Sequence, residues 1–164
     1  VTGIPNFDAI AAYRDNDFPH RGYVLVATSD ARETYKLDNR RKFLRQAVRI
    51  AAGRPMIFKL HPNEKFDRAT REIREEVGDV PIYTDGNIDH MIANCEALIC
   101  QYSTVVYVGI VLGKEVHSYF DEDMLRRLTP LQNGGRSGHN IAQVCRHILL
   151  GEPVKWEEFL VQAT

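Results

Sequence analysis

Five apolar runs without alternation recur along the chain: YVLVATSD (23–30), PMIFKLHP (55–62), VPIYTD (80–85), ALICQYS (97–103) and EVHSYF (115–120). A strand wetted on one face alternates apolar with polar residues. A strand that does not alternate is covered on both faces, as in a parallel sheet. Between these runs lie stretches with helical spacing. In 39–53, Phe43, Leu44, Ala47, Val48 and Ala51 share a face. Phe66, Ala69, Ile73 and Val77 do so in 65–78, and Ile88, Met91, Ile92 and Cys95 in 87–96. In 138–152 the stripe is Ile141, Val144, Cys145 and Ile148, and 154–163 reads as a short closing helix. TVVYVGIVLGK (104–114) is apolar all round, which fits a buried helix or a strand.

Strand and helix therefore alternate, which predicts the α/β class. The expected fold is a Rossmann-like parallel sheet of about five or six strands with helices on both faces. Residues 1–22, with Pro5, Pro19, Gly3 and Gly22, read as an irregular or partly helical lead-in or interdomain segment, and 23–164 as one domain. With 21 basic and 22 acidic side chains the net charge is −1, so no global basic field suits nucleic acid, and no nucleic-acid partner is expected. Cys95, Cys100 and Cys145 are odd in number, form no CxxC and sit among apolar residues. Buried reduced thiols in a reducing, cytoplasmic compartment are expected. No segment reaches the length of a membrane span, and no histidine spacing suggests a metal site.

In a parallel α/β sheet, ligands bind beyond the carboxyl ends of the strands. The residues there are Thr28, Ser29 and Asp30, then Lys59, His61 and Asn63, then Thr84, Asp85 and Asn87, then Gln101, Tyr102, Ser103 and Thr104, then Asp121 and Asp123. Pro62 disfavours the helical region for His61 and holds it extended at the strand end. An imidazole fixed there suits a phosphate or a sugar hydroxyl, and Lys59, two residues earlier, points to the same side. The competing account is that both cap backbone carbonyls. Ser103 and Thr104 precede the apolar stretch. If that stretch is a helix, its first amides make an anion site beside them. Here the competing account is a plain N-cap. The Gly-rich NGGRSGH (133–139) reads as a flexible connection, with an anion contact through Arg136 and Ser137 as the alternative.

KLHP, NIDHMIANCEALICQYSTVVY and GKEVHSYFDED resemble the nucleotide-binding half of two-domain GT-B glycosyltransferases. The nearest type is the capsule-polysaccharide and polyglycerolphosphate transferases, whose pattern runs His-Pro, then a strand ending Asp-Tyr-Ser-Ser, then a strand ending Tyr-Asp. The resemblance spans about residues 23–150. It implies that Lys59, His61, Ser103 and Thr104 hold the phosphates of a nucleotide-sugar (or nucleotide-polyol) donor, with Ser29, Asn63, Asp85 and Tyr102 as further contacts. The donor is substrate; no cofactor and no metal are implied, and no catalytic residue is assigned. Gln101 stands where the family often has Asp. Val108 stands where many members carry an acid that holds the ribose, so a loosely held nucleoside is expected. The resemblance also implies an N-terminal acceptor domain in a longer protein, inactivity of this half alone, and peripheral association with the inner membrane face through the other half. Two alternatives stay open. One is a UDP-N-acetylglucosamine 2-epimerase-like enzyme, using Asp85 or Asp30. The other is a catalytically degenerate domain that binds a glycan or a partner.

Overall fold

Backbone pairing follows the apolar runs closely. A computed structural model describes residues 2–35, 38–132 and 135–154. The strands are β1 (Val24–Ala27), β2 (Met56–Lys59), β3 (Ile82–Tyr83), β4 (Ala97–Cys100) and β5 (Glu115–His117). They form one sheet in the order β3-β2-β1-β4-β5. Every neighbouring pair is parallel, with β1 central: Val26 stands beside Phe58 on one side and Ile99 on the other. The helices are α1 (Ala31–Tyr35), α2 (Arg40–Ala51), α3 (Phe66–Glu76), α4 (Ile88–Asn94), α5 (Val105–Val111), α6 (Glu122–Gln132) and α7 (Ser137–Leu150). The stretch 104–114, which fits helix or strand by sequence, is helix α5.

Successive strand side chains point to opposite faces, so the sheet divides two cores. Val24, Val26, Phe58, Ala97 and Ile99 pack under Phe43, Leu44 and Ala47 of α2 and Ala69 and Ile73 of α3. Leu25, Ala27, Ile57, Leu98 and Cys100 pack under α4, α5 and α6. The lead-in contributes two short 3-10 turns, and Ile10 from the second is buried in this latter core with Phe7, Tyr13 and Phe18 against it. At Gly109 a Cβ would lie 3.0 Å from side-chain atoms of Leu98 and Val116, so its absence lets α5 settle onto β4 and β5.

Several expected inward residues lie outside. Val48 is one position past Ala47, at the margin of the α2 stripe, and Phe66 opens α3 before the helix turns onto the sheet; both are exposed. On α7 only Val144 of the four stripe residues is half-buried, while Ile141, Cys145 and Ile148 are exposed. Periodicity identified the apolar face, but no described element covers it. Cys145 is thus not a buried thiol. Cys95 and Cys100 are, and burial pushes their pKa values up to about 12 and about 11. Ser137 does meet an anion at the start of α7, and the anion is internal. Asp8 accepts hydrogen bonds from Ser137 N (3.2 Å), Ser137 Oγ (2.7 Å) and Gly138 N (3.3 Å), capping α7 from the lead-in. The closing helix expected at 154–163 falls outside the described residues from 155 onward. Among the described residues no helix is long and apolar enough to cross a membrane.

Candidate functional site

From β1 the sheet is built outward in both directions, to β2 on one side and β4 on the other. The loops after β1 and β4 therefore diverge to opposite faces, and a crevice opens at the carboxyl edge. A cleft of about 220 Å³ lies there. Thr28, Lys59 and His61 line it from the ends of β1 and β2, Gly86 and Ile88 from the start of α4, and Ser103 and Val105 from the start of α5. His61 and Ser103, 42 positions apart, thus share one cleft. A second cavity of about 160 Å³ lies beside the open edge strand β5, between α2 and α6. None of the eight residues expected to hold the sugar donor lines it, whereas Lys59, His61 and Ser103 line the first.

Within the cleft the side chains differ in what they have left to offer. Lys59 is buried, and its Nζ donates to Leu60 O (3.0 Å) and Thr84 O (3.1 Å). The carbonyl-capping account thus holds for two of its three N–H groups; one remains. Burial lowers its pKa below the ordinary lysine value, against the pull of the Asp85 and Glu64 carboxylates. His61 accepts the Asn63 backbone N–H at Nδ1 (3.2 Å), and its Nε2 has no hydrogen bond among the described residues. The Ser103 hydroxyl likewise has none, and Thr104, the N-cap of α5, makes no side-chain cap bond. The plain N-cap account therefore fails for both.

The anion site expected at the α5 amides is weaker than the sequence implied. The helix has seven residues, and Val106 N and Tyr107 N already bond Ser103 O (3.3 Å) and Thr104 O (3.1 Å).

The remaining candidates sit around the cleft or away from it. Asn63 is exposed at the rim and donates from Nδ2 to Asp30 Oδ2 (3.2 Å). Hydrogen bonds from Thr34 and Asn63, with His61 nearby, hold the Asp30 pKa below the ordinary carboxylate value. Asp85 is exposed on the loop after β3. The Ser29 hydroxyl is buried and donates to Gln101 Oε1 (2.7 Å). Tyr102 does not line the cleft; its ring meets Tyr119 (5.5 Å between centroids) and Phe120 (5.4 Å) edge-on. Asn87 and Asp121 are ordinary caps, accepting from Asp89 N and Met124 N. Val108 is fully buried in the α4–α6 core. Its helix turns it away from the cleft, so a valine in place of an acid there bears on packing and says nothing about holding a ribose.

Sequence reasoning missed the polar cluster behind β2. Arg40, at the start of α2, is buried with Glu64 and Asp38. Its Nη2 donates to Glu64 Oε1 (2.5 Å) and Ser29 O (2.8 Å), and its Nε lies 3.1 Å from Asp38 Oδ2. Glu64 Oε2 accepts from the Thr28 hydroxyl and from His61 N (2.9 Å). Gln101 Nε2 reaches Asp38 Oδ1 (2.9 Å). A signal was present: Arg40 lies three and four positions before Phe43 and Leu44, on the face that α2 buries.

Among the described residues no group of three or more His, Cys, Asp or Glu is placed to hold a metal ion. No family model matches the chain, and no curated protein or solved structure matches it significantly.

Proposed function

We propose that this chain is the nucleotide-sugar-binding half of a GT-B glycosyltransferase of cell-surface polysaccharide synthesis, and that the cleft takes the diphosphate of the sugar donor. One observation carries the reading. Lys59 and His61 at the end of β2 and Ser103 after β4 line one cleft at the carboxyl edge, and each keeps a hydrogen-bond donor unengaged by the described residues. One ammonium, one ring N–H and one hydroxyl suit phosphoryl oxygens, and charge-assisted bonds of this kind are the strong ones. Thr104, exposed at the mouth, and Asn63, at the rim, stand where a longer ligand would pass.

The size of the cleft bears on which part of the donor it encloses. Pockets that enclose a drug-sized ligand run to roughly 300–1,000 Å³. About 220 Å³ fits the phosphates and leaves the sugar and nucleoside for other surfaces. In the proposed enzyme an N-terminal acceptor domain would supply some of these, at the inner membrane face. Donor groups fixed around the diphosphate would stabilise the leaving phosphate during transfer. The epimerase alternative asks for carboxylates in the cleft. Asp30 lies just behind His61 and Asp85 stands on the neighbouring loop, but neither lines it.

Calorimetry with nucleoside diphosphates, nucleoside monophosphates and pyrophosphate tests the reading. The expected result is binding that needs the diphosphate, competes with pyrophosphate and weakens in His61→Ala and Ser103→Ala. Absence of diphosphate binding, or binding indifferent to both substitutions, would overturn it.

A further inference from the structure

We propose that His61 is held in the Nε2–H tautomer and serves the cleft as a fixed hydrogen-bond donor to a phosphoryl oxygen, not as a proton acceptor or metal ligand. The ligand half of this inference rests on the anion reading given above; the tautomer half stands on the ring's own contacts.

A neutral imidazole carries one N–H and one lone-pair acceptor. The Asn63 backbone N–H donates to His61 Nδ1 at 3.2 Å. A nitrogen that accepts carries no proton, so the proton sits on Nε2. The turn that presents this amide is braced. His61 N donates to Glu64 Oε2 (2.9 Å), Glu64 N donates to His61 O (3.0 Å), and Arg40 holds the other Glu64 oxygen. Pro62 stiffens the link between.

The charged groups around the ring do not reverse this assignment. Asp30 Oδ2 lies 4.0 Å from Nδ1 and already accepts from Asn63 Nδ2 (3.2 Å) and the Thr34 hydroxyl (2.8 Å). Glu64 engages the His61 backbone and Lys59 engages two carbonyls, so neither draws on the ring nitrogens. If the ring takes a second proton it goes to Nδ1, facing Asp30, and Nε2–H is unchanged. In both states the cleft receives an N–H and never a lone pair.

Two consequences follow from chemistry alone. A metal ion needs an imidazole lone pair, so His61 offers the cleft none. A serine nucleophile needs a neighbouring base to take its proton, so Ser103 and His61 do not form a Ser–His pair. Both act as donors, and the ligand they select bears acceptor oxygens.

The test uses the whole chain. Long-range proton–nitrogen correlation, recorded above the titration of the ring, reports which nitrogen is protonated; Nε2 is expected, and an Nδ1–H tautomer overturns the inference. Pyrophosphate binding then separates two isosteres. His61→Gln places an amide N–H near the Nε2 position, whereas His61→Asn places it near Nδ1. His61→Gln should bind within about threefold of wild type, and His61→Asn about tenfold or more weakly, the scale of one lost charge-assisted hydrogen bond. Circular dichroism confirms that each variant folds. Binding retained by His61→Asn and lost by His61→Gln overturns the donor role. A wild type that binds no pyrophosphate overturns the anion reading and the ligand half of this inference with it, even if the tautomer is as expected.

Discussion

Two polar regions meet at the ends of β1 and β2, one behind the strands and one in front. Behind, Arg40, Glu64, Thr28, Ser29 and Gln101 engage one another, and few polar atoms lack a partner, Arg40 Nη1 among them. In front, His61 Nε2, the Ser103 hydroxyl and one N–H of Lys59 have none among the described residues. The residue types are much alike. What separates a brace from a binding surface is whether hydrogen-bonding capacity is already filled from within the fold. None of these three is a buried atom left without a partner, so each stands open to solvent in the cleft and available to an acceptor from outside.

The most severe way to break this comparison is to remove the brace. Arg40→Met should leave Glu64 and Asp38 buried without their cation and cost about 3–5 kcal/mol of unfolding free energy, read by urea denaturation. A loss near zero would mean that the rear cluster is not a brace. Next comes a polar group placed where the fold has no partner for it. Val108→Glu should cost about 3 kcal/mol in the same assay and leave pyrophosphate affinity of the folded fraction unchanged. Tighter ribonucleotide binding by this variant would show that α5 presents position 108 to the ligand after all.

The front should behave in the opposite way. His61→Ala should weaken diphosphate binding by about 1–3 kcal/mol and shift the urea midpoint little, because the braced backbone remains. A large stability loss with unchanged affinity would move His61 to the rear group. The smallest effect is expected from Asp30. Its folded pKa lies below the ordinary aspartate value because Thr34 and Asn63 donate to it. Its contribution to stability is therefore complete above that value and is lost as pH falls through the depressed folded pKa. A carboxyl-carbon titration by NMR should show a midpoint below that of an unfolded Asp; a midpoint above it would detach Asp30 from the turn that holds His61.

The sheet was legible in the sequence because burial on both faces leaves a mark, an unbroken apolar run. Each strand lies within its apolar run and ends two or three residues before the run does, and the expected parallel pairing holds. The cleft was half legible. Chain alternation puts His61 and Ser103 at one edge, yet it cannot tell which rim residue is already engaged. Ser29 finds Gln101 across 72 positions, and Arg40 finds Glu64 across 24. Such pairings depend on three-dimensional register and leave no local signature. The reading of Val108 failed for a related reason. Alignment by motif placed it beside the ligand, whereas the helical phase of α5, fixed by packing at Gly109, turns it into the core.

The uneven burial of the three cysteines has a practical consequence. Two thiols are locked in the interior with pKa values raised to about 12 and about 11, and the third, on α7, faces solvent. The chain thus carries a single reagent-accessible sulfur, on α7. A maleimide fluorophore or spin label should attach there in one-to-one stoichiometry without mutagenesis and report on α7 while the cleft is titrated. Storage without reductant should slowly join pairs of chains through that same sulfur, visible as a doubled mass that thiol reagents reverse.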